Sequence, residues 1–67
     1  MLDADQKEIL DGIPTPNLWA VVEDIRSPDV GMSPTFFFLG MSPPFRRPNA
    51  TPDVVLDYCL KVLKGRG

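Results

Sequence analysis

The chain has 67 residues, a net charge of −2, a single cysteine and no histidine. A chain of that length makes one small domain that buries only about 60% of its unfolded-state surface. The composition excludes an internal disulfide, the histidine-containing zinc sites and any Ser-His or Cys-His catalytic pair. Domains this small usually gain stability from a disulfide, a metal or another chain. With the first two set aside, a partner chain is the expected source.

Proline is the compositional outlier: eight residues, about twice the usual ~5% share. They stand at 14, 16, 28, 34, 43, 44, 48 and 52 and leave residues 1–13, 17–27 and 53–67 free for regular structure. Charge is uneven. Residues 1–30 carry seven acids against Lys7 and Arg26, net −5, and residues 31–67 carry two acids against five bases, net +3. Such asymmetry either orients a charged partner or lets the two halves attract each other weakly.

Residues 3–11 predict a short helix. Asp3 suits the cap, Gln6 the capping-box position and Gly12 the end. Ile9, Leu10 and Ile13 give it one apolar edge, and a helix of that length must dock to persist. Residues 16–26 predict a second helix, with Thr15 as cap and Pro16 in the first turn. Leu18, Val21, Val22 and Ile25 then share one face, with Trp19 at its margin. The run Leu18–Val22 also admits a strand.

Residues 28–34 carry turn chemistry in Pro28, Asp29, Gly31 and Pro34. Thr35-Phe36-Phe37-Phe38-Leu39 is the densest apolar run, set between two Gly-Met-Ser-Pro copies at 31–34 and 40–43. Between those breakers it reads as an extended segment. Two copies are too few for a repeat fold. Residues 40–52 read as irregular, with Pro43-Pro44 and Pro48 favouring turns or polyproline.

Residues 52–64 predict the strongest helix, with Thr51 as cap, Pro52 first, Asp53 near the positive end and Lys61 and Lys64 near the negative one. Asp53, Asp57, Lys61 and Lys64 make one polar stripe, and the remaining circumference is apolar. Residues 65–67 read as a mobile tail.

The fold class expected from these elements is mainly α, with two or three short helices around a proline-rich, partly extended middle, all in a single domain over 1–67. The alternative is α+β, with residues 18–25 and 35–40 paired as a hairpin under the C-terminal helix.

Catalysis finds little support. Cys59 falls among apolar neighbours, where burial makes a thiol inert. Asp3, Asp5, Glu8 and Asp11 fail the calcium-loop pattern, because Lys7 and Glu8 stand where an oxygen ligand and a glycine are needed. No phosphate-binding glycine loop is present. The expected protein is therefore no enzyme and carries no cofactor or metal.

A non-enzymatic binding protein is expected instead: an accessory subunit, adaptor or inhibitor acting by direct contact with a larger protein, or a homodimer. Its small size suits a phage-encoded or accessory protein. The candidate partner-binding residues are Trp19, Phe36, Phe37, Phe38, Phe45, Arg46, Arg47 and Tyr58, since aromatic and arginine side chains dominate interface hot spots. The alternative is a small nucleic-acid-binding module. Phe45, Arg46 and Arg47 combine an aromatic with two guanidiniums, and Lys61, Lys64 and Arg66 add basic charge. An acidic chain overall argues against it.

No apolar run approaches the ~20 residues of a membrane span. The start Met1-Leu2-Asp3-Ala4-Asp5 is acidic where a secretion signal is basic. A cytoplasmic location without membrane contact is expected.

Overall fold

A computed structural model describes residues 1–27 and 34–66, with the backbone alone for 34–37. Four helices follow in order: α1 (Ala4–Asp11), α2 (Thr15–Arg26), α3 (Pro34–Met41) and α4 (Pro52–Gly65), with a 3-10 turn at Pro43–Arg46 before the last. The fold is mainly α, and no strand occurs among the described residues. No helix there is long and apolar enough to cross a membrane.

α1 opens on a capping box of Asp3 and Gln6. The Asp3 backbone N–H donates to Gln6 Oε1 at 2.6 Å, which satisfies a donor the helix leaves open. Its buried residues are Gln6 and Leu10, and the helix contacts both α4 and the 3-10 turn. It therefore has the docking its length requires.

α2 begins one residue earlier than the capping pattern implies. Pro14 is the cap residue, and its carbonyl accepts the Leu18 N–H at 2.9 Å. Thr15 is not the cap; its hydroxyl is used by Arg66 instead. Leu18, Val21, Val22 and Ile25 are all buried, the face that the apolar spacing gives. α2 packs mainly on α4 and also meets α3.

The middle segment departs from expectation. Residues 35–39 are helical, not extended, within α3. Pro34 stands first in the helix, where its missing N–H costs nothing and its fixed φ suits the turn. Gly40 is carried inside the helix, so the second breaker does not break it. A lone strand here would have no partner for its backbone groups, whereas a helix satisfies them internally. The hairpin of the α+β alternative is absent, because both of its arms are helical. The turn expected over 28–34 lies, but for Pro34, outside the described residues.

α4 starts as its sequence implies. The Val54 N–H donates to Thr51 Oγ at 3.4 Å, and Pro52 occupies the first turn. Val55, Cys59 and Leu63 are buried against the α2 face, and Leu39 and Phe45 complete the core from the other side. Of the tail residues 65–67, Gly65 belongs to α4 and Arg66 is hydrogen-bonded. Its backbone N–H caps α4, and its guanidinium donates to Asp11 O at 2.8 Å, Ile13 O at 2.9 Å and Thr15 Oγ at 3.1 Å. An arginine with many donors reaches the carbonyls that the end of α1 leaves open. Gly67 lies outside the described residues.

Candidate functional site

Among the described residues, a groove of about 640 Å³ lies between α1, α2 and the α3/3-10 corner. Its described floor and walls include Ile9, Ile13, Val21 and Leu39, and Asp5 and Glu8 stand along one side. Phe38 lines the mouth while 70% exposed. Asp5, Glu8 and Ile9 stand at i, i+3 and i+4, so one face of α1 supplies both the acidic rim and part of the apolar floor. α1 can spare that face because Gln6 and Leu10 anchor it from another side.

Gln6 is fully buried and fully engaged. Its Nε2 donates to Pro44 O and, at 3.2 Å, to Asn49 Oδ1. In return Asn49 Nδ2 donates to Gln6 Oε1 and to Met1 O, both at 3.0 Å. This amide pair ties α1 to the proline-rich loop and sets Pro44 at the groove wall. Buried polar groups of this kind are costly unless paired, and here every amide function has a partner.

The candidate contact residues separate into distinct places. Phe38 is exposed at the groove, and Trp19 is 47% exposed on α2. Phe36 and Phe37 have side chains outside the described part of the structure. Phe45 is not a surface residue: it is 7% exposed, and packs as part of the core. Arg46 donates through Nε to Met41 O at 3.1 Å. Arg47 pairs with Asp3, and with Asp5 at 3.5 Å. Its hydrogen bond to Asp3 raises its pKa above the ordinary arginine value. Tyr58 is half-buried, its hydroxyl 3.0 Å from both Asp11 carboxylate oxygens. Burial first, and then that bond to Asp11, push its pKa up.

The aromatic-guanidinium triplet is thus taken apart. Phe45 faces inward, Arg47 is committed to the acids of α1, and Arg66 is committed to the α1–α2 turn. Cys59 is buried, which pushes its thiol up to about 11 and leaves almost no nucleophilic thiolate near neutral pH. No group of three metal-ligating side chains converges among the described residues.

The groove residues Asp5, Glu8, Ile9, Ile13 and Pro44 were not among the contact residues expected from sequence. The only advance signal was the acid-acid-isoleucine spacing on α1, which also describes any solvated helix face. A smaller hollow of about 390 Å³ lies beside Leu2, Lys7, Asp53, Asp57, Tyr58 and Lys61, with charges of both signs. In comparison with known proteins, the chain matches no family model, and no curated protein or solved structure is found similar to it.

Proposed function

We propose that this chain is a non-enzymatic binding protein that docks a protein partner in the groove between α1, α2 and α3, as an accessory subunit, adaptor or inhibitor. The observation that carries the reading is Phe38, a large aromatic 70% exposed at the mouth of an apolar groove. An apolar concavity with a few polar groups at its edge is the usual form of a binding site. Exposed aromatics in such a place act as interface anchors. Trp19, 47% exposed on α2, is a second exposed aromatic outside the groove lining.

The test is affinity capture from the lysate of the protein's own cell, with nuclease and at high salt, comparing the natural chain with Phe38→Ser. The expected result is one stoichiometric protein retained by the natural chain and lost by Phe38→Ser, with unchanged circular dichroism for both. Equal capture by Phe38→Ser, or capture that nuclease abolishes, overturns the reading. Sedimentation of the purified chain separates a foreign partner from a second copy.

A further inference from the structure

The docking reading names a place but not the chemistry it selects, and the charges around the groove bear on that. We propose that the groove takes a basic amphipathic helix of a partner protein, with apolar side chains against Ile9, Ile13 and Leu39 and lysine or arginine against Asp5 and Glu8. The proposal rests on the docking reading above and narrows its partner.

Three observations carry it. Asp5 and Glu8 are the only charged residues among the described lining, so the groove presents one sign of charge. Both carboxylates have capacity left. Glu8 makes no ion pair with a described residue, and Asp5 shares Arg47 at 3.5 Å with a closer competitor, Asp3. The described residues contain no strand, so no sheet edge is on offer and an extended peptide has no backbone ladder to join. Asp5, Glu8 and Ile9 share one helix face along the groove, a layout that suits side-chain insertion from a second helix laid beside α1.

A partner helix lying along α1 meets Asp5 and Glu8 with cations spaced by one turn, since those acids are themselves one turn apart. An acidic helix would set like charges together, which is a strong discriminator at an interface. A second copy of this chain is a poor occupant. Its helix α4 carries Lys61 and Lys64, but the apolar face of α4 is already buried, leaving Leu60 at 36% exposure. Arg47 and Arg66 are tied to their own chain.

The experiment uses three synthetic three-turn peptides with one apolar pattern and a polar face of lysine, glutamate or glutamine. Each is titrated into the isotope-labelled full chain at low salt, with amide shifts as the readout. The lysine peptide should bind about tenfold tighter than the glutamate peptide and move Ile9, Ile13, Val21 and Phe38. Asp5→Asn with Glu8→Gln should reduce that preference about fivefold, a change two partly exposed ion pairs can supply. Asp53→Asn with Asp57→Asn removes equal charge from α4 and should leave the preference intact.

Equal binding of all three peptides, or equal loss in the α4 control, overturns the basic-helix assignment while the docking groove stands. Groove shifts that depend on protein concentration without peptide assign the site to a second copy and also overturn it. Absence of groove shifts with every peptide overturns the basic-helix assignment, while the docking reading is decided by the Phe38→Ser capture.

Discussion

Gln6 shows how far a single residue's role extends beyond its neighbours. As the third residue of α1 it is a capping residue, and that much is legible from Asp3 and Gln6 alone. Its second role, joining Pro44 and Asn49 across 38 and 43 residues of chain, has no local signature. Gln6→Ala leaves the Pro44 carbonyl and Asn49 Oδ1 without this donor in a part-buried setting and should destabilise the fold by about 1–3 kcal/mol, read as a fall in the urea midpoint. Cys59 was legible as core from its apolar neighbours, and its pKa carries a pH consequence. The folded thiol is raised from 9.0 to about 11, so the folded chain keeps a proton that the unfolded chain has released. That contribution is whole below pH 9.0 and is lost as the pH climbs to about 11. Tyr58, also raised, adds a decline further up. Stability should therefore fall across that alkaline window. A thiol reagent near neutral pH should label Cys59 only as the protein unfolds.

At the level of elements, three helices were readable from their prolines and apolar spacing, with the caps of α1 and α4 in agreement and that of α2 misplaced by one residue. α3 was not, because the breakers that argue against a helix mark its first position and one tolerated interior site. Gly40 sits inside α3 with no atom within 4 Å of where a Cβ would stand. Gly40→Ala should raise stability by about 0.5–1 kcal/mol, since alanine restricts the unfolded chain and costs no contact. Differential scanning calorimetry would show it as a higher melting temperature; a lower one would mean that α3 does not persist in solution. Arg66 clasps the α1–α2 turn from the end of α4. Arg66→Ala should cost about 1 kcal/mol, the scale of hydrogen bonds made by an exposed charge. Amide exchange should quicken at Ile13 and Thr15 while the core of α4 keeps its protection.

For the molecule as a whole, the opposite charges of the two halves of the sequence meet, among the described residues, where Arg47 pairs with Asp3 and Asp5. All three are exposed, so screening by salt removes little. Raising sodium chloride should move the urea midpoint less than Gln6→Ala does. The groove was illegible because no single segment contains it: α1 gives the acids, α2 gives Val21, α3 gives Phe38 and Leu39, and the loop gives Pro44. That construction has a consequence for synthesis in the cell. α1 is made first, yet eight residues of helix do not hold alone in water, and its amide tether is Asn49. At about 5–20 residues per second a ribosome needs roughly two to nine seconds to add that stretch. During this interval Leu2, Ile9 and Leu10 lack the segments that pack on them in the folded chain, and the wall of the groove does not yet exist. A partner of the proposed groove would find its site complete only once the residues through Asn49 have been made.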